Sequence, residues 1–359
     1  MSAERRRRVI AKVGVETPLL LPSFSSRGFP GVAAIIDALR VDVSSACLFS
    51  AFDVAHGFAP SDFLGIADVV CVDSGGYETT ASAVAVDCYL PDAAQADWTR
   101  ERYRSFLRSS VASVITNVIA VSYDTYASVD EQVEQAREDF AGIPGAATDF
   151  LLKPETRGDV LRSVGALAPS LRSFDVIGIT ERELGTSALE RCRSLIALRR
   201  ALQEAGLDTP IHVFGAITPA AVTTYFLSGA DIFDGLNWLR VALDEPWGAS
   251  SSEFAVTGGL TELDDEGVLL VLWRRNLRAL QRVQRALRRF SSDGDRLALS
   301  EALPFAALAL AVADEARRQM GSACCLSRLS APGLSRSATT RAEWFPAVSR
   351  PRASHEEVA

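Results

Sequence analysis

The stretch ADVVCVDSGGYE, residues 67–78, joins an apolar run to an acid, a serine, two glycines and an aromatic residue. Its first half is apolar and β-branched, as in a buried strand, and Asp73 stands where that strand would end. Gly75 and Gly76 would let the backbone approach a ligand closely, and Tyr77 could stack on a planar one. The same residues also make a good turn, so this stretch alone leaves both interpretations open.

Two further acids stand at the ends of other apolar runs and favour the first interpretation. Asp124 ends VSYD, residues 121–124, and Asp234 ends ADIFD, residues 230–234. Three carboxylates at strand ends can meet only if the strands are parallel and their carboxyl ends share one face. The pattern therefore predicts an α/β protein with a (β/α)8 TIM barrel, whose C-terminal rim carries the chemistry.

Eight short apolar runs fit the strands of such a barrel. They cover residues 18–24, 46–52, 69–73, 118–124, 149–153, 174–180, 211–215 and 231–235. Helical patterns that begin with capping residues separate several of these runs. We expect a catalytic barrel over residues 1–262, helices over 263–320 that pack on it, and a disordered tail over 321–359.

Composition narrows the classes of protein to which the chain can belong. The 359 residues carry a net charge of −8, which argues against a globally basic nucleic-acid binder. There is no apolar run of about 18 residues, so we expect no membrane span. No signal-like apolar segment follows the basic N-terminus, which favours a cytoplasmic location. The six cysteines show no CxxC spacing, and we expect neither disulfides nor a metal site.

One segment reverses the acidic character of the chain. Residues 273–290 contain seven arginines and no acid, with apolar residues at helical spacing. A positive helix face on an acidic protein predicts contacts with phosphates, and a solvated helix face is the alternative. The phosphate contacts are expected from Arg274, Arg278, Arg282 and Arg285. A rim loop over 236–261 would precede this helix, and a last apolar helix over 297–320 would follow it.

Five segments resemble the tRNA-guanine transglycosylase superfamily. DSGGYE at 73–78 is similar to the DSGGYQ or DSGGFQ motif of that family, and FDG at 233–235 is similar to its FDC segment. HVFGAITP at 212–219 resembles HLMGVGTP, VSYD at 121–124 resembles SFDE, and TPLLLP at 17–22 resembles TPVFMP. The matches keep the family's order and approximate spacing over residues 17–240.

The resemblance implies a barrel enzyme that exchanges guanine in a nucleic acid for a 7-deazaguanine base, without a cofactor. Asp234 would be the nucleophile and Asp73 the general acid/base, a division of work like that in retaining glycosidases. Tyr77 would stack on the base and Asp124 would bind its edge, although Asp124 could instead cap a helix. The other implied base-binding positions are Ser74, Gly75, Gly76, Gly178, His212 and Gly215.

The sequence departs from the family pattern at positions that bear on which nucleic acid, tRNA or DNA, would be the substrate. Members that act on tRNA carry a CxCxxC…H zinc site, which this sequence lacks, and their PTRNA-like segment reads LNWLR at 236–240, with Arg240 as the implied nucleic-acid contact. Glu78 also replaces the family glutamine. These changes favour DNA slightly over tRNA as the partner. A tRNA enzyme, another enzyme class such as a hydrolase or a metal-assisted lyase, and a degenerate nucleic-acid-binding barrel stay open, as does a homodimer or partner subunit.

Overall fold

The computed structural model describes residues 7–29, 31–43, 45–79, 97–112, 117–154, 169–243 and 248–327, without the side chains of Tyr77 and of residues 322–327. The strands are β1 Val9–Ile10, β2 Val15–Glu16, β3 Leu19–Phe24, β4 Ala46–Ser50, β5 Val69–Asp73, β6 Val118–Val121, β7 Ala147–Leu152, β8 Val176–Thr180, β9 Ile211–Phe214 and β10 Ile232–Gly235. Eight of them close into a parallel barrel in the order β10-β3-β4-β5-β6-β7-β8-β9. The predicted (β/α)8 fold is confirmed.

Helices connect and surround these strands. They are α1 Val32–Leu39, α2 Ala51–Ala55, α3 Gly76–Thr79, α4 Arg100–Phe106, α5 Val129–Phe140, α6 Ala188–Glu204, α7 Pro219–Leu227, α8 Ser251–Thr257, α9 Asp265–Asp293, α10 Arg296–Ala302 and α11 Ala306–Ser327. Ser128 and Ser187 cap α5 and α6 through complete capping boxes, as their position before the helical patterns predicts. No helix in the described ranges is long and apolar enough to cross a membrane.

Alternation along the strands divides the core into two layers. Val69 and Cys71 pack inside the barrel, whereas Val70 and Val72 pack between the strands and the helices. Continuing the alternation places Asp73 on the inner side, at the C-terminal end of β5. Ile232 also packs inside, so Asp234 likewise faces the interior. The strands thus bring two inward-facing acids to one end of the barrel.

The arginine-rich segment forms α9, which packs against the first barrel strand, β3, and against α7. This is the place of the eighth helix of the barrel, and α9 belongs to the compact unit Met1–Met320. Asp264 caps its start, and Gly294, with φ +69°, ends it. Residues 328–359, most of the predicted tail, lie outside the described residues.

Two predictions made for the segments around α9 were wrong. The stretch 236–261 is not only a loop, because α8 lies within it; the spacing of Ser250 and Glu253, which form a capping box, is the missed signal. The predicted helix over 297–320 is two helices. Pro304 disfavours a helical conformation at the residue before it, and Leu303 is extended, with φ −129° and ψ 117°. After this break α11 continues to Ser327.

Candidate active site

A cavity of about 580 Å³ opens at the C-terminal end of the barrel. Asp73, Asp124 and Asp234 all line it, and so does Glu78. The structure thus brings the three acids of the predicted site to one cavity. Its volume is typical of small-molecule sites, which span about 300–1,000 Å³.

Asp234 is held by donors on both carboxylate oxygens. The Ser23 hydroxyl donates to Oδ2 at 2.9 Å, and the Gly215 N–H donates to Oδ1 at 2.9 Å. Gly215 has φ +85°, a conformation that favours glycine, and it turns this N–H toward the acid. Because each oxygen accepts a hydrogen bond, the carboxylate of Asp234 is held in one orientation.

Asp73 has a different environment. Burial and repulsion from Glu78 raise the pKa of Asp73 to about 7, and the Gly75 N–H, 3.3 Å from Oδ2, opposes the shift only in part. A carboxyl with a pKa near neutrality can both give and take a proton at physiological pH. The surroundings of Asp234 thus suit a fixed carboxylate, and those of Asp73 suit a group that gives and takes a proton.

Glu78 and Asp53 extend this group of carboxyls. Glu78 accepts hydrogen bonds from the hydroxyls of Ser25, at 2.5 Å, and Ser50, at 2.9 Å. Burial and repulsion from Asp53 raise the pKa of Glu78 to about 7, and burial raises that of Asp53 to about 6. A protonated glutamate resembles the glutamine of the family motif in size and neutrality. Our sequence analysis missed Asp53 and the two serines, since none of them belongs to a motif.

Asp124 lies at the cavity wall with one oxygen paired. Its Oδ2 lies 3.1 Å from Nζ of Lys153, whereas its buried Oδ1 has no hydrogen-bond partner among the described residues. Ser128, and not Asp124, caps the following helix, which removes the capping alternative. Asp124 therefore offers an acceptor to a ligand.

The two glycines of the motif allow close packing around Asp124. Gly75 has φ +88°, and a Cβ on it would lie 2.8 Å from Nε1 of Trp98. A Cβ on Gly76 would lie 2.5 Å from Cβ of Asp124. Ser74 is fully buried, and its hydroxyl accepts the Asp124 N–H at 3.3 Å. These residues thus position Asp124, while the side chain of Tyr77, the predicted stacking partner, lies outside the described residues.

His212 lies beneath the cavity floor with no exposed surface. Its Nδ1 is 2.7 Å from Oδ2 of Asp149, and its Nε2 is 3.5 Å from Oδ1 of Asp234. A Cβ on Gly178 would lie 2.7 Å from Oδ1 of Asp149 and 2.5 Å from the Phe214 ring. Gly178 therefore leaves room for the pair, and the structure places His212 under Asp234 and not in the cavity lining.

Cys71, Asp149 and His212 have side-chain atoms within 4.8 Å of one another, close enough to be weighed as a metal site. Their contacts argue against that use. The imidazole and Asp149 already bind each other at 2.7 Å, and all three side chains pack inside the barrel with no exposed surface. We therefore regard the group as an ion pair beside a thiol.

Cationic and aromatic groups complete the cavity. Arg182 and Arg240 are exposed at its mouth, and Arg27 is buried in its wall. The sequence analysis selected only Arg240. Tyr126, missed as well, is 79% exposed although it lines the cavity, and Nζ of Lys153 lies 5.4 Å from its ring centre. The floor of the cavity is thus acidic, and its mouth carries Arg182 and Arg240 together with Glu181 and Glu183, which line it as well.

The helix α9 runs down the outside of the barrel, away from this mouth. Asn276 donates to the carbonyl of Trp238 at 2.6 Å, just beyond β10, whereas Arg288 donates to the carbonyl of Glu16 at 3.0 Å, in β2 at the opposite end. These two helix residues are about 18 Å apart along the axis, at about 1.5 Å per residue. Only the first part of the arginine face therefore lies near the cavity end.

The predicted phosphate-binding arginines are spread along this helix. Arg274 pairs at 3.0 Å with Asp42, in the segment between α1 and β4. Arg278, Arg282 and Arg285 are exposed, and the last two lie toward the opposite end of the barrel. The predicted basic helix face is present, but most of it lies along the outer side of the barrel, away from the cavity.

Comparisons with known proteins give no independent assignment. The sequence matches no protein-family model and no curated protein. The transglycosylase resemblance therefore rests on the order of the motifs, and any functional conclusion must come from the geometry of the cavity.

Proposed function

We propose that this chain is a base-exchanging transglycosylase that replaces guanine in a nucleic acid by a 7-deazaguanine. One observation carries the proposal: Asp234, with donors on both oxygens, and Asp73, with a pKa raised to about 7, line the same cavity. Breaking an N-glycosidic bond needs a nucleophile or stabilising carboxylate at C1′ and a proton for the leaving base. The two surroundings match these two tasks.

The exchange would proceed in two balanced steps. Asp234 attacks C1′, the C1′–N9 bond breaks, and the guanine leaves with its electron pair and a proton from Asp73. The incoming base then returns a proton from N9 to Asp73, and its N9 forms the new bond to C1′ while the Asp234 carboxylate departs. Asp73 is regenerated after each turn, so the reaction consumes no cofactor.

Recognition of the base is supported by the cavity wall. Oδ1 of Asp124 is buried and without a described partner, so an N–H group of a purine edge would satisfy it. An aromatic ring at the cavity mouth, Tyr126, offers a stacking surface for a base that has left its helix. These groups favour a planar base with donors on its edge over a simple sugar.

The charge pattern of the cavity favours a polymer substrate. Carboxyls at the floor suit the reaction centre, and Arg182 and Arg240 at the mouth suit the phosphates on either side of an extruded nucleotide. The absence of the CxCxxC…H pattern from the sequence leads us to prefer DNA over tRNA. A cytoplasmic location is part of the same proposal.

The test is the exchange of labelled guanine into duplex DNA and into tRNA, followed by mass spectrometry of the nucleosides with a 7-deazaguanine supplied. We expect incorporation by the wild-type protein and none by Asp234→Asn. Incorporation into tRNA alone would support the tRNA enzyme. Polymer binding by a folded wild-type protein that exchanges nothing would support the degenerate binding subunit and overturn the enzyme proposal.

A further inference from the structure

We propose that His212 is a buried imidazolium, held by Asp149, whose positive charge faces the Asp234 carboxylate and positions it for attack. The inference deepens the proposed function, on which the nucleophilic role of Asp234 rests. It concerns a residue that the motif comparison assigned to base binding and an acid, Asp149, that no motif contains.

The first support is geometric. The ring of His212 lies between two carboxylates: Nδ1 is 2.7 Å from Asp149 and Nε2 is 3.5 Å from Asp234. A neutral imidazole carries one N–H and would leave one of the two carboxylates facing a lone pair. An imidazolium has an N–H toward each. Protonation therefore lets Nδ1 donate to Asp149 and turns an N–H toward Asp234, although the 3.5 Å between Nε2 and Oδ1 makes this second contact an ion pair and not a hydrogen bond.

The second support is the balance of charge in a buried place. His212 and Asp149 have no exposed surface, and Asp234 is 6% exposed. Burial lowers the pKa of His212, but Asp149 and Asp234 together outweigh it and raise the pKa to about 9. Cys71, which faces the pair, remains a neutral thiol because burial raises its pKa, and burial likewise raises the pKa of Tyr103 nearby. One cation thus stands between two acids.

The third support is that neighbouring residues are shaped around the pair. Asp149 and His212 lie on β7 and β9, with β8 between them, and β8 contributes Gly178 at this level. A side chain there would collide with Asp149 and with Phe214, whose ring centre is 3.8 Å from that of His212. Inward residues from alternate strands form layers in such barrels, and this layer carries the ion pair.

The consequence for the reaction concerns Asp234. A nucleophilic carboxylate must be ionised although it lies near Asp73 and other carboxyls that oppose its charge. The imidazolium supplies a positive charge 3.5 Å from Oδ1, while the Gly215 N–H holds Oδ1 and the Ser23 hydroxyl holds Oδ2. His212 does not touch the substrate in this arrangement, so it acts as a positioning residue.

The protonation state can be measured without any substrate. The chain has only three histidines, so ¹⁵N-histidine NMR can follow each ring, and the signal that disappears in His212→Gln identifies this one. We expect both ring nitrogens to carry a proton at pH 7.5, and Asp234→Asn to lower the midpoint of the titration by about one pH unit. A neutral ring at pH 7.5, or a midpoint indifferent to Asp234→Asn, would overturn the proposal.

Kinetics test the positioning role. In His212→Gln we expect kcat to fall at least about tenfold with little change in KM, and the acidic limb of the rate profile to move about one unit to higher pH. Cys71→Ala, which alters the same layer without changing charge, should leave both unaltered. A fall in kcat with an unmoved pH profile would make His212 merely structural. If the wild type exchanges no base, the proposed function fails, and the NMR titration still decides the charge of His212.

Discussion

β10 has a buried acid at each end, and the two acids have opposite kinds of partners. Asp231, just before the strand, binds the guanidinium of Arg8 at 2.7 Å, that of Arg199, and the Ile211 N–H at 2.9 Å. Asp234, three residues later, has neutral donors and one imidazole, and it shares a cavity with other carboxyls. At the N-terminal end of β10 two arginines neutralise the buried acid, whereas at the cavity end Asp234 faces a single histidine and shares the cavity with other carboxyls.

This difference separates structure from chemistry. A buried acid paired with arginines contributes to holding elements together, here the N-terminal residues, α6 and β10. A group of buried carboxyls with few cations costs stability, and such groups are typical of functional sites because they shift pKa values. In TIM barrels that second group is expected at the C-terminal end of the strands.

The largest expected effect on stability comes from Asp231→Asn. Removing one partner leaves Arg8 and Arg199 buried without their shared acid, so we expect the free energy of unfolding to fall by about 3–5 kcal/mol. Asp234→Asn is the matched variant at the other end of β10; it loses neutral donors and the contact with His212 but leaves no arginine without its acid, so its free energy of unfolding should fall by only about 1–2 kcal/mol. Urea denaturation of the wild type and both variants at pH 7.5 measures these free energies of unfolding. Equal decreases would remove the distinction between the two ends.

A smaller effect is expected from Glu78→Gln, with a defined pH dependence. Burial raises the pKa of folded Glu78 from 4.5 to about 7, so the stability it contributes is complete below about pH 4.5 and is lost as the pH rises through 7. The variant should therefore match the wild type near pH 4.5 and exceed it by about 2 kcal/mol at pH 8.

The control for this prediction is Glu204→Gln, which removes an exposed acid on α6. It should show no such divergence between pH 4.5 and pH 8. If Glu78→Gln were no more stable than the wild type at pH 8, the repulsion among the carboxyls at the cavity end would be compensated by contacts that we have not recognised.

Sequence pattern was sufficient for the barrel and for two of its acids. Alternation along β5 and β10 directs Asp73 and Asp234 inward, and parallel strands put both at the same end. The helices that begin after Ser128 and Ser187 were also predictable, because capping is a local interaction. Local and periodic signals are the ones that a single sequence carries.

Contacts that depend on register between strands could not be predicted. Asp149 and His212 are far apart in the sequence and meet across β8, where Gly178 leaves the space between them. Nothing in a single strand indicates this. Lys153 and Tyr126 likewise enter the site through loops that follow strands, whose paths the pattern of apolar residues does not define.

Tyr126→Ala tests whether the open cavity end receives a base. Stacking of one base on an aromatic side chain is worth about 1–3 kcal/mol, so we expect KM for the polymer to rise about tenfold or more with kcat nearly unchanged. Tyr126→Phe keeps the ring and should behave as the wild type. If the alanine variant has an unchanged KM, the exposed ring serves no stacking function.

The smallest effect is expected from α9. The triple replacement of Arg278, Arg282 and Arg285 by Gln removes exposed cations from the barrel side, and the double replacement of Arg182 and Arg240 by Gln removes cations from the cavity mouth. For every phosphate that is no longer neutralised, the dependence of log affinity on log salt should flatten by about 0.9 for duplex DNA. Both variants should therefore bind a long duplex more weakly and with a smaller slope.

Polymer length separates the two surfaces. Arg282 and Arg285 lie about 9–14 Å along the helix from Asn276, at about 1.5 Å per residue, so a short oligonucleotide seated at the mouth would not reach them. We expect the mouth variant to bind both long and short substrates more weakly, and a variant with only Arg282 and Arg285 replaced by Gln to bind only the long one more weakly. Titrations at several salt concentrations measure both. If the α9 variant keeps the wild-type affinity and slope for long DNA and for tRNA, its arginines form a solvated face, and nucleic acid contacts the cavity end alone.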